Sequence, residues 1–178
     1  MESYDALNKK IFTSFKDKFG YANILSIPKI TKIVVSMGIG EARENPKVMD
    51  IALKDLGILT GQKPLVTKAK KAVSGFKIRQ GDSVGLKVTL RGKRMREFID
   101  RLSRITLPRI RDFRGLKLAG FDKQGNYNLG IKEHVVFPEI KYDKAEKVFG
   151  LQVTFTTTAK NKEEAKELLI LSGFPFEK

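Results

Sequence analysis

Between Val84 and Arg91 every second residue is aliphatic: Val84, Leu86, Val88 and Leu90 alternate with Gly85, Lys87, Thr89 and Arg91. A strand repeats every two residues, so this pattern sends an apolar row to one face of a sheet and a basic, hydrogen-bonding row to the other. Leu151, Val153 and Phe155 alternate with Gln152, Thr154 and Thr156 in the same way, which predicts a second polar face rich in hydroxyls. Strands of this kind require an apolar cover on one side of the sheet only. Alternation alone does not say whether the other side meets water or a partner.

Further strands are predicted at Lys32 to Met37, Pro64 to Thr67 and Tyr127 to Ile131, with the two alternating runs extending over Val84 to Arg91 and Leu151 to Thr158. Helical spacing appears elsewhere. Tyr4, Leu7, Ile11, Phe15 and Phe19 form one stripe ending at Gly20, and Val48, Ile51, Ala52, Leu56 and Leu59 form another behind the Asn45-Pro46 start and before Gly61. A third helix over Lys93 to Ile105 would bury Met95, Phe98, Ile99, Leu102 and Ile105 and expose Arg94, Arg101 and Arg104. The last begins at Asn161, with Glu164 placed as in a capping box and Ala165, Leu168 and Leu169 facing inward until Gly173.

Helices and strands thus mix without strict βαβ alternation, and Gln124-Gly125-Asn126 reads as the turn at a hairpin tip. The expected fold is α+β: a single domain over residues 1–178, with a largely antiparallel sheet, helices packed on one face and a protruding basic loop. No internal repeat, low-complexity tract or linker composition suggests a second domain. The start MESYDALNKK lacks an apolar leader, and no run of 18 apolar residues is present, so a cytosolic protein is expected.

The net charge of +15 points to polyanionic partners, nucleic acid ahead of anionic membrane, and its distribution says where. Residues 1–60 carry 9 Lys and Arg against 7 Asp and Glu, residues 61–114 carry 16 against 4, and residues 115–178 carry 10 against 9. The middle third therefore holds +12 of the +15, a concentration that favours a binding surface over charges scattered for solubility. Membrane binding is disfavoured because the cations do not form one amphipathic helix.

Within that third, Lys68, Lys70, Lys71, Lys77 and Arg79 precede the first acid, Asp82, with Phe76 and Ile78 interleaved and Gly75 and Gly81 as brackets. Such a loop, an arm at about 68–83, can combine phosphate neutralisation with contact to an exposed base or sugar; the plainer alternative is a solvated loop. Arg109, Arg111 and Arg114 surround Phe113 in a second cluster, whose guanidinium forks suit phosphate and carboxylate equally. Met37-Gly38-Ile39-Gly40 lacks the third glycine of a dinucleotide loop and reads better as a tight strand exit where a bulky backbone can approach.

No catalytic constellation emerges. Glu41/Glu44 and Asp143/Glu146 have the spacing of solvated charged faces, His134 reads as a surface or satisfied histidine, and with no Cys and one His neither a metal site nor a cofactor is expected. An RNA-modifying enzyme would need a cofactor fingerprint or a plausible acid–base pair.

The ordered motifs GQKP (Gly61 to Pro64), TKAKKAVSGFKIRQG (Thr67 to Gly81), KVTLRG (Lys87 to Gly92), PRIRDFRGL (Pro108 to Leu116), FPEIKYDK (Phe137 to Lys144) and TFTTTA (Thr154 to Ala159), with the terminal FPF at Phe174 to Phe176, resemble bacterial large-subunit ribosomal protein five, the universal 5S rRNA-binding family. The resemblance implies a structural constituent of the cytoplasmic large subunit. Such a protein binds 5S rRNA beside large-subunit rRNA and neighbouring large-subunit proteins in the central protuberance, contacts the P-site tRNA and bridges to small-subunit ribosomal protein thirteen. It carries over, as rRNA contacts, Ser36, Met37, Gly38, Gly40, Gln62, Lys63, Lys87, Thr89 and Arg91. As tRNA contacts it implies Lys70, Lys71, Ser74, Gly75, Phe76, Lys77, Arg79 and Gln80, and as bridge contacts Arg109, Arg111, Arg114, His134, Lys141 and Tyr142. Family members often carry Asn where this chain has Ser36; a hydroxyl still donates and accepts but lacks the two-pronged amide geometry. An extraribosomal RNA chaperone or regulator using the same surface is the alternative.

Overall fold

The strands of the computed structural model, which describes residues 4–43, 45–140 and 146–177, are β1 (Ile30–Gly38), β2 (Leu65–Lys68), β3 (Ser83–Leu90), β4 (Tyr127–Ile131) and β5 (Leu151–Thr157). Each lies within two residues of its expected bounds. They form one sheet in the order β2-β3-β1-β5-β4, with every neighbouring pair antiparallel. Ile33, Val35 and Met37 of β1, Leu86, Val88 and Leu90 of β3, and Leu151, Val153 and Phe155 of β5 are buried on one face.

Four helices supply the cover: α1 (Tyr4–Phe19), α2 (Pro46–Thr60), α3 (Gly92–Arg101) and α4 (Lys162–Leu171). Ala52, Leu56 and Leu59 of α2, Met95 and Phe98 of α3, and Ala165 and Leu169 of α4 join the sheet residues in one core. Each fully buried aliphatic or aromatic side chain there contributes about 1.5–3 kcal/mol. α1 stands apart from this cluster, because its Ile11 and Phe15 pack with Ile27 and with Leu168 of α4. Ser14 Oγ and Lys18 Nζ both donate to Glu167 Oε1, at 3.0 and 2.7 Å, and fasten α1 to α4.

The start of α2 follows its sequence signals: Asn45 Oδ1 accepts from the Lys47 N–H at 3.1 Å, Pro46 occupies the first turn, and Gly61 closes the helix at φ +62°. Two other helix ends depart from expectation. α3 does not continue regularly to Ile105; residues Leu102–Thr106 form a π-type turn, in which the Leu107 N–H donates to the Leu102 carbonyl. The wider turn shifts the helical phase, so Ser103 and Thr106 are buried and Ile105 is exposed; Arg101, at the end of regular α3, is half-buried against Glu139, with Nη2 on the Leu59 carbonyl at 3.1 Å. At α4 the capping box is incomplete: Asn161 makes no side-chain cap, and Glu164 Oε2 instead accepts from the Lys160 N–H at 2.9 Å.

Gln124, Gly125 and Asn126 do form a turn, held by Asp122, whose Oδ1 accepts from the Gln124 and Asn126 N–H groups at 2.8 Å. It closes a Phe121–Tyr127 bridge, while β4 pairs along its length with β5. One packing point demands glycine. A Cβ on Gly85 would lie 2.5 Å from the Met37 carbonyl oxygen, so the close β1–β3 contact at the Gly38–Gly85 pair tolerates no side chain there.

The C-terminal segment seals the far end of the core. Phe174 meets Phe155 edge-on at 5.1 Å, and Phe176 stacks on Phe121 at 5.6 Å. The Leu116 N–H donates to the Pro175 carbonyl at 2.8 Å and the Glu177 N–H returns to Leu116 at 3.1 Å. Beneath them Tyr127 donates to the Lys117 carbonyl at 3.0 Å, and burial, reinforced by nearby Glu177, pushes its phenol up to about 12, so it stays a neutral donor.

Candidate nucleic-acid interface

With the helices gathered on one side, the other face of the sheet has no helical cover among the described residues, and strand register fixes what lies beside what. Ser36 pairs with Lys87 on one flank and Gln152 on the other, and the row continues outward to Leu65 and Gly130. In the next row Val34 lies between Thr89 and Thr154, with Asn128 beyond. Lys32 pairs with Thr156, and Gly38 with Gly85. Strands stand about 4.8 Å apart, so polar groups recur along each row at multiples of that spacing, interrupted by Leu65 at the β2 edge and by Val34 at the centre. Lys87 is exposed, whereas Ser36 and Thr89 are half-buried between neighbours.

Arg91 follows the last residue of β3, where its extended backbone (φ −141°, ψ 165°) caps α3 and its side chain is exposed. Gln62 and Lys63 occupy the turn between α2 and β2. Thr60 Oγ1, which also bonds the Leu56 carbonyl at 2.7 Å, reaches the Gln62 carbonyl at 3.2 Å and braces that turn. Extending the β2–β3 register by two residues sets Lys63 level with Thr89. Thus Ser36, Gly38, Lys63, Lys87, Thr89 and Arg91 converge on one side of the molecule.

Besides Gln62, which is half-buried in the turn, two of the expected rRNA contacts do not join them as side chains. Met37 is fully buried, because an odd position on β1 points to the core, and only its backbone is left to touch a ligand. Gly40 lies beyond the strand in a 3₁₀ turn and lines a separate cavity of about 370 Å³ with Phe76, Ile78 and Asp82 of the arm.

The arm is a hydrogen-bonded hairpin extension of β2 and β3. Ala69 and Gly81 exchange backbone bonds with the opposite strand, Val73 bridges Ile78, and Asp82 Oδ2 accepts from the Arg79 N–H at 2.8 Å. At the tip Ser74–Phe76 make a 3₁₀ turn, and Lys77 adopts φ +52°. Lys70, Lys71, Ser74, Gly75, Lys77, Arg79 and Gln80 are exposed, and Phe76 is 73% exposed among these cations.

Arg109, Arg111 and Arg114 are exposed on a loop that borders a groove of about 1030 Å³ shared with Val135, Val136 and Pro138. His134 does not belong to that surface. Its side chain is fully buried: Nδ1 accepts the Phe149 N–H at 3.2 Å, and Nε2 lies 3.1 Å from Asp55 Oδ2. A backbone N–H can only donate, so the proton sits on Nε2 and the ring ties the loop before β5 to α2. The reading of His134 as a bridge contact is corrected to a core role. Lys141 and Tyr142 lie outside the described residues, as do Glu44 and Asp143. Glu41 is ion-paired with Lys147.

Asn128, Gln152, Thr154 and Thr156 extend the polar face beyond the expected contacts. The alternation of β5 shows which way its polar residues point, but their adjacency to Ser36 and Lys87 comes from pairing between distant segments, which local spacing does not encode. Among the described residues no group of His, Asp and Glu is arranged to hold a metal, and no helix is long and apolar enough to cross a membrane.

Two family models account for most of the chain: that of ribosomal protein L5 matches residues 23–79, and that of the C-terminus of the same ribosomal family matches residues 83–176. The chain belongs to the ribosomal protein L5 family. Among its curated relatives, the large ribosomal subunit protein uL5 of Alkaliphilus oremlandii (strain OhILAs) is 56% identical over 174 residues, covering 98% of this chain and 97% of the relative. Proteins of the same name from Carboxydothermus hydrogenoformans and Syntrophomonas wolfei subsp. wolfei are 54% and 53% identical, each over 97% of this chain and 96% and 97% of the relatives. The family is structural and non-enzymatic.

Proposed function

We propose that the chain, a structural constituent of the large ribosomal subunit in the cytoplasm, binds 5S rRNA with its open sheet face and helps hold it in the central protuberance. The observation that carries this reading is the register itself, which aligns Lys87, Ser36 and Thr89 across two strands with Lys63 and Arg91 at the border. Cations there neutralise phosphates, while the half-buried hydroxyls of Ser36 and Thr89, held by their neighbours, read sugar and base groups. The arm, with its backbone-braced tip and exposed Phe76, suits the P-site tRNA. A surface that must accept every elongator tRNA works through sugar, phosphate and stacking contacts, and the arm offers those. The Arg109–Arg114 loop and its groove are assigned to small-subunit ribosomal protein thirteen, whose carboxylates the guanidinium forks would engage.

The division of labour is testable by substitution. Arg91→Ala and Thr89→Ala are each expected to weaken 5S rRNA binding, the charged contact by about 1–3 kcal/mol, while Phe76→Ala leaves it nearly unchanged. Filter binding or calorimetry at fixed salt reads this directly. Equal losses from all three would mean that sheet and arm bind one RNA as a single basic patch, as a general RNA chaperone would.

A further inference from the structure

The half of the open face on β4 and β5 differs from the half on β3: it is uncharged and hollow. A depression of about 390 Å³ lies between Ser36, Asn128 and Gln152, with Gly38, Gly130 and Gly150 in its lining and no Lys or Arg among the residues that form it. The amides at its rim are oriented. Asn128 Oδ1 accepts from the Thr154 hydroxyl at 2.7 Å and from Gln152 Nε2 at 3.4 Å. With those atoms engaged, the remaining amide groups of these two exposed side chains are a donor, Asn128 Nδ2, and an acceptor, Gln152 Oε1.

That pairing discriminates between ligands. A phosphate offers only acceptors and calls for a cation, whereas the edge of a nucleobase sets a donor next to an acceptor, as adenine does with N6 and N7. The planar ring of a base also fits a depression where glycines remove the side chains. Lys87 lies two strands from Gln152 in the same row, about 10 Å away by strand spacing, so a backbone phosphate on Lys87 would bring neighbouring nucleotides over the hollow.

We propose that this hollow receives one unpaired nucleobase of the bound RNA, with Asn128 and Gln152 reading its edge. The proposal rests on the sheet face being the RNA surface, and it adds a specificity site on the half where phosphate contacts are lacking. Base reading of this kind changes affinity without changing the number of ions released.

Gly130→Val is the test. A Cβ at Gly130 meets nothing within 4 Å, and valine suits a strand, so the variant keeps the fold while its side chain fills the hollow. Affinity for 5S rRNA is expected to fall at least tenfold with an unchanged salt slope and melting temperature. Gln152→Leu, neutral and similar in size at an exposed position, is expected to do the same and decides the matter should Gly130→Val lower the melting temperature. Arg91→Ala, measured alongside, separates the two readings. If Arg91→Ala weakens binding while both hollow variants bind as the parent does, or weaken it only by lowering the salt slope, the nucleobase site is overturned and the RNA face stands. If none of the three weakens binding, the RNA face itself is overturned.

Discussion

Replacing Lys63, Lys87 and Arg91 together by alanine is expected to lower 5S rRNA affinity at least a hundredfold and to reduce the salt slope by about two to three. All three side chains are exposed, and their positions flank the Ser36–Thr89 rows of the sheet, so removing them takes away phosphate contacts without opening the core. Each lost charged contact costs about 1–3 kcal/mol, but neighbours on one surface couple, so the sum of single variants is an upper bound. Circular dichroism and the melting temperature should match those of the parent. A loss of affinity at constant slope would place the phosphate contacts elsewhere.

Phe155→Ala is expected to destabilise the fold by about 3–5 kcal/mol, among the largest effects open to a single substitution. Phe155 is fully buried at the centre of β5, where Phe174 meets its ring edge-on at 5.1 Å and Tyr127 lies at 6.4 Å. Its loss leaves a cavity that rigid strands on both sides cannot collapse. For a chain of 178 residues that corresponds to a fall in melting temperature of about 6–20 °C, measured by calorimetry. Thr154→Ala, one residue away on the open face, should lower the melting temperature far less, because Thr154 is half-buried beside Val34 and Asn128 and its loss opens no core cavity. Similar losses from the two would contradict the assignment of β5 faces.

Those faces were legible in the sequence because a period of two is local, and the same holds for the start of α2, where Asn45 and Pro46 each act on their own backbone. Features set by distant residues were not. The phase of α3 slips at Leu102–Thr106, leaving Ile105 outside, and Arg101 just before the slip is tucked against Glu139 and the Leu59 carbonyl, partners that no local pattern reveals. His134 carries a polar side chain beside Glu133, yet it is buried because Asp55 and the Phe149 N–H, 79 and 15 residues away, satisfy both ring nitrogens. The candidate site divides along the same line. Lys87, Thr89 and Arg91 share a face by alternation, whereas Asn128 and Gln152 join that face only through the β1–β5 and β5–β4 pairings.

The central claim is that a shaped surface, rather than an excess of positive charge, selects 5S rRNA. Its most direct test is the affinity of the whole protein for 5S rRNA and for an unrelated RNA of equal length, each titrated across salt. A preference for 5S rRNA that persists as salt rises is expected, because hydrogen bonds from the sheet face do not depend on ion release. Equal affinities that fall together on one slope would contradict it and make the +12 of residues 61–114 a general polyanion binder.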